Sequence, residues 1–154
     1  MRRLAEALYE LALTFWVGGL WAIGYLVAPT VFTTLAGDRQ LAGTLAGKLF
    51  ESIGWLGLVC GGYLLLFLLV RNGTTALRRW LFWLVVLMLV LDAVGLFGVQ
   101  PLLAQLKADA LPREVMESVL RNRFATWHGV SSILYLLQSL FGLWLVIASR
   151  RASK

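Results

Sequence analysis

Two ionisable residues stand where ionisable groups are costly, and both could do chemistry. Asp92 interrupts an otherwise uncharged run from Trp80 to Leu106. At 1.5 Å per residue it lies about 18 Å along that segment from Trp80. That depth is near a bilayer centre, where a carboxyl costs a few kcal/mol or more unless paired or protonated, so Asp92 is a functional-site candidate by default. The alternative is a neutral carboxylic acid hydrogen-bonded to a neighbouring helix. His128, the only histidine, follows Trp127 about one turn inside the last apolar run. On a helix it shares a face with Ser131, Ser132, Tyr135, Gln138 and Ser139. Such a stripe is expected to face the bundle, because unsatisfied polar groups in hydrocarbon are expensive. His128 and Asp92 differ by only about 6 Å in depth. A contact through Ser131 or Ser132 would relay protons or orient the imidazole toward a metal. Hydrogen bonding that merely fixes packing is the plainer alternative.

Other chemistry is thinly represented. One histidine, Cys60, Met88 and Met116 give no metal-ligand spacing of the CxxC or HxxxH kind. A bis-histidine haem within one subunit is excluded, while a single-ligand haem or one shared across a dimer stays open. No cofactor is required by the sequence. Hydrolase elbow, zinc-protease, Rossmann and P-loop signatures are absent, so nothing demands an enzyme. Arg121 and Arg123, just before the last apolar run, suit an anion such as a lipid phosphate, or act as interfacial anchors. Gly18 and Gly19, and then Gly54, Gly57 and Gly61, form small-residue strips that let helix backbones approach closely.

The elements that must position these residues follow from composition. Of 154 residues, 60% are hydrophobic and 14% charged, with mean hydropathy +0.79. A water-soluble fold of this size exposes too much surface to hide that apolar fraction. Uncharged runs of 27, 19 and 26 residues lie between Glu10 and Asp38, Glu51 and Arg71, and Arg123 and Arg150, beside the Asp92 segment. A crossing needs about 20 residues. The expected fold is therefore all-α, an antiparallel bundle of four transmembrane helices at about residues 8–35, 52–70, 80–99 and 125–149, forming one domain over 1–154. The first run is too long for a cleavable signal peptide.

Net charge is +6, but the basic residues cluster between and after the apolar runs without a nucleic-acid motif, which argues against nucleic-acid binding. Eight Lys and Arg fall on the side of the termini and six on the other, more dispersed. Both termini are thus expected in the cytoplasm of a bacterial inner membrane. Trp16, Trp21, Trp55, Trp80, Trp127 and Trp144 are expected largely as interfacial aromatics. Residues 39–51, with Leu41, Leu45 and Leu49 in line, and residues 102–123, with Pro112 at a helix start, are expected as short amphipathic helices on the outer face. Ala28-Pro29 and Gln100-Pro101 close helices one and three alike, hinting at two duplicated hairpins.

Phe15-Trp16-Val17-Gly18-Gly19, then Val27-Ala28-Pro29-Thr30-Val31-Phe32, resembles the family described as domain of unknown function 4149. Phe50 and the run from Phe124 through Trp127-His128-Gly129-Val130-Ser131-Ser132 resemble the same pattern. The resemblance implies a four-helix integral membrane protein. Eukaryotic relatives, called transmembrane protein 205, are associated with platinum-drug resistance, and the architecture is similar to bacterial copper-resistance membrane proteins. This implies metal or small-molecule handling and supplies no catalytic residue.

Three functions are therefore expected in competition. The first is a site at Asp92, His128, Ser131, Ser132 and Tyr135 that binds or passes a metal ion or small solute. The second is a structural partner, through homo-oligomerisation or docking of another membrane protein. The third is a haem-linked redox protein using His128.

Overall fold

The structure is a computed structural model whose described residues are 2–110 and 118–152, with side chains described over 3–106 and 122–150. Among these residues it is almost entirely helical, with no strand, and four helices are long and apolar enough to cross a membrane. Helix α1 covers residues 2–34, α2 is Arg39–Asn72, α3 covers residues 80–110 and α4 is Ser118–Ala152. Each packs on its neighbour in sequence, and α4 closes the ring onto α1.

The helices outrun the apolar segments. Helices of 34 and 35 residues extend roughly 50 Å, against a hydrocarbon core of about 30 Å. Counting uncharged residues finds the part that suits lipid, whereas helix propensity continues into the water on both sides. The segment 39–51 is accordingly not a separate helix on the membrane surface but the first turns of α2. Asp38 caps it, its Oδ1 accepting from the Leu41 backbone N–H at 2.9 Å. Its buried face is also not the leucine line: Ala42 and Ala46 are buried while Leu41 and Leu45 are exposed. In the connection before α4 residues 102–110 prolong α3, whereas Pro112, Glu114 and Val115 lie outside the described residues.

Pro29 and Pro101 sit inside continuing helices, each just after a widened π-helical stretch: Ala22–Val27 before Pro29, and Val94–Val99 before Pro101. A proline lacks an N–H and its ring collides with the carbonyl four residues back. Widening the helix relieves that collision, with Ala28 N–H reaching the Ile23 carbonyl and Gln100 N–H the Gly95 carbonyl. At the other end α2 stops at Gly73, whose φ of +55° ends the helix in a conformation that glycine alone adopts freely.

The core contains Trp16, Leu20, Leu64, Val85, Met88 and Leu145, all essentially inaccessible. Trp16 is therefore no interfacial anchor, whereas Trp21, Trp55, Trp80, Trp127 and Trp144 are exposed on the bundle surface. One end of the bundle is tied by Tyr9 with Ser149 (3.1 Å), by the Tyr63 hydroxyl donating to the Ala5 carbonyl (3.1 Å), and by Arg71 with Glu6 (3.9 Å). These contacts gather residues 5–9, the end of α2 and the end of α4 at one end of the bundle.

Candidate functional site

All four helices contribute to one polar cluster inside the bundle. Asp92, from α3, has 9% of its surface accessible, and Gln138, from α4, has 3%. Trp16, from α1, is fully buried, and its indole nitrogen meets the Asp92 carboxyl over Gly57 of α2. The absence of a side chain at Gly57 permits this meeting: a Cβ there would run into Asp92 Oδ2 and come within 2.6 Å of Trp16 Nε1. Gly61, one turn on, makes room for the Trp16 ring and Leu89 in the same way.

Beside this cluster lies a cavity of about 60 Å³, room for roughly two to four waters. Its polar lining is Asp92, Gln100, Ser131, Tyr135 and Gln138, and its walls include Leu20, Phe50 and Leu96. Among the described residues three buried polar atoms have no partner of hydrogen-bond geometry: Trp16 Nε1, Asp92 Oδ2 and Gln138 Oε1. The indole N–H and the carboxylate oxygen face each other over Gly57, donor toward acceptor, which leaves Gln138 Oε1 without a complement. Buried polar atoms are paired in the great majority of cases, so a free amide oxygen beside a buried carboxyl sets this cavity apart from the rest of the interior.

Gln138 is held in a defined orientation. Its Nε2 donates to the Met88 carbonyl at 3.1 Å. A carbonyl can only accept, so the amide cannot be reversed, and its oxygen is left as an acceptor. Tyr135 is fixed by the first widened turn: its hydroxyl donates to the Leu20 carbonyl at 2.6 Å, and its ring fills the space where Gly24 lacks a side chain. The second widened turn adds Gly95 and Leu96 to the cavity wall. The second departure from regular α-helix thus borders the cavity, while the first seats Tyr135, which lines it, and π-helical turns are frequent at functional positions.

The sequence-predicted residues divide. Asp92, Ser131 and Tyr135 line the cavity together. His128 and Ser132 are exposed and do not line it. His128 stacks on Phe124 with ring centroids 5.9 Å apart, and its carbonyl accepts from the Ser132 hydroxyl at 2.9 Å. The reason is how α4 packs: over residues 122–137 only Phe124, Ser131, Leu134 and Tyr135 are even partly covered. No group of three or more His, Cys, Asp or Glu side chains converges among the described residues. Arg123 is exposed near the start of α4, and the Arg121 side chain lies outside the described ones. Of the packing glycines, a Cβ at Gly19 would meet Ile53 and Leu56 and one at Gly54 would lie 3.3 Å from Leu96, whereas Gly18 faces open space.

Trp16, Gln100 and the site role of Gly57 were not anticipated from sequence. Counting from Glu10 puts Trp16 near a span end, but the ties of Ala5 and Glu6 to α2 place that end of α1 several residues earlier. The spacing Leu13, Trp16, Val17, Leu20 marks the buried face of α1 and was the available signal.

Neither the curated proteins nor the solved structures contain a significant match to the chain. A family model does match, over residues 11–112, taking in most of α1, all of α2 and the described part of α3 with the Trp16, Gly57 and Asp92 positions, and ending before α4. That match spans more than half the chain, and the protein belongs to the family described as Domain of unknown function (DUF4149).

Proposed function

We propose that this protein binds a small polar solute or ion at the Asp92 site and passes it across the membrane in which the bundle sits. The observation that carries this reading is a buried carboxyl, Asp92, beside a free amide oxygen, Gln138 Oε1, on one small cavity inside a membrane-spanning bundle. A purely structural polar cluster would be expected to satisfy its own groups, since each unsatisfied one costs about 1–3 kcal/mol. Both termini are proposed to be cytoplasmic in a bacterial inner membrane, supported by Arg71, Arg78, Arg79 and Arg150 at the ends of α2, α3 and α4 that lie with the N-terminus.

The test is flux in proteoliposomes against a panel of probes: ²²Na⁺, ⁸⁶Rb⁺, ⁴⁵Ca²⁺, Cu⁺, protons and glycerol. The reading expects at least one to cross faster than in empty liposomes and to fall to that baseline in Asp92→Asn of normal yield. A panel with no protein-dependent flux, or flux indifferent to Asp92→Asn, overturns it.

A second reading, docking of another membrane protein or a second copy, is favoured by one observation. Ala125, His128, Gly129 and Ser132 form an exposed polar and small-residue face on the outer half of α4. Crosslinking from Gly129→Cys in native membranes tests it. A stoichiometric adduct supports docking, and labelling by lipid-soluble reagents alone argues against it.

A further inference from the structure

We infer that the ligand of the Asp92 site is a partly dehydrated monovalent alkali cation, held by the Asp92 carboxylate and the Gln138 amide oxygen; this rests on reading the site as a binding site. Charge balance comes first. Among the described residues the cavity is lined by one carboxyl and by no lysine or arginine. One positive charge neutralises that carboxylate, whereas a divalent ion would leave a net charge buried in low dielectric.

Donor chemistry points the same way. The polar groups around the cavity offer hard oxygen ligands: the carboxylate, the Gln138 oxygen, the Ser131 hydroxyl and the Gln100 amide. The soft ligands that copper or zinc prefer lie elsewhere, since neither Cys60 nor His128 lines the cavity. Because the Gln138 nitrogen is committed to the Met88 carbonyl, the free oxygen wants a donor or a cation and nothing else. Trp16 completes the arrangement from the opposite side. Its N–H can only donate, so it orients the carboxylate from the Gly57 side and keeps a cation on the cavity side. A volume of about 60 Å³ accommodates such an ion with a water or two, but not an ion with a full hydration shell.

The experiment is equilibrium binding of ²²Na⁺ and ⁸⁶Rb⁺ to the full chain in nanodiscs, with choline chloride maintaining ionic strength. We expect saturable binding of at least one of the two ions, competed by unlabelled alkali chloride and not by CaCl₂. Asp92→Asn should weaken it by roughly tenfold or more, since it removes the charged partner of a buried ion. Gln138→Leu should weaken it several-fold, and Gly62→Ala, which touches nothing, should leave it unchanged. If Asp92→Asn does not fold, Gln138→Leu and Ser131→Ala carry the test. Absence of saturable binding by the wild-type chain, or binding that all the site variants retain, overturns the cation assignment. The flux panel separates this from the broader reading. Asp92-dependent passage of glycerol without alkali binding removes the cation and keeps the site, whereas Asp92-dependent binding without flux supports the cation and removes passage.

Discussion

Replacing Gly57 by alanine adds one methyl group at the point where three helices meet, and the consequence can be worked from the contacts. The new methyl would run into Asp92 Oδ2 and lie 2.6 Å from Trp16 Nε1, inside the 3.4 Å at which ordinary contact begins. Trp16 is fully buried and Asp92 nearly so, so neither can swing into open space. Overpacking of this kind costs about 1–3 kcal/mol. Alanine in place of helical glycine returns about 0.5–1 kcal/mol. Gly62, on the same helix, has nothing within 4 Å, so Gly62→Ala isolates that gain. The two variants should therefore differ by about 1–3 kcal/mol, or roughly 2–12 °C in unfolding midpoint for a chain of this size. Thermal unfolding of both in one detergent measures the difference. Equal midpoints would refute the claim that Asp92 and Trp16 are pressed together over Gly57. Gly57→Ala should also impair the site more than stability alone explains, because the methyl displaces the carboxyl itself.

Three further outcomes follow from the same contacts. Tyr135→Phe removes the bond to the Leu20 carbonyl and should cost about 0.5–1.5 kcal/mol, read as a lower unfolding midpoint. His128→Ala, on the exposed face of α4, should shift stability by no more than about 0.5 kcal/mol and leave ion binding at the wild-type level; a loss of binding would return His128 to the site. Arg71→Ala breaks a half-exposed pair with Glu6 at 3.9 Å and should cost less than about 1 kcal/mol in a detergent melt.

Much of this architecture is readable from hydropathy alone, because lipid as solvent imposes a length and a charge pattern that few other constraints blur. The four spans and Asp92 as an interior anomaly follow from that argument. Helix ends do not: a helix stops where its capping groups are, as at Asp38 and Gly73, and not where the apolar residues run out. The widened turns before Pro29 and Pro101 were hidden because proline reads as a terminator, whereas a helix held by neighbours can instead expand its turn. The polar stripe on α4 was legible as a stripe but not in its phase. Ser131, Tyr135 and Gln138 face the cavity, and His128 and Ser132, displaced around the same helix, do not. A wheel assigns residues to a face, but only the packing of the other helices says which edge of that face is covered.

The central claim is that Asp92 is retained for a ligand and not for packing, and one paired measurement tests it most directly. Asp92→Asn and Asp92→Leu would be compared with the wild-type chain in unfolding midpoint and in probe flux, using the same purified preparations. A buried carboxyl facing hydrocarbon strains the bundle, so the account predicts midpoints equal to or above wild type together with flux at the empty-liposome baseline. Lower midpoints with flux retained would contradict it, and would make Asp92 a packing residue.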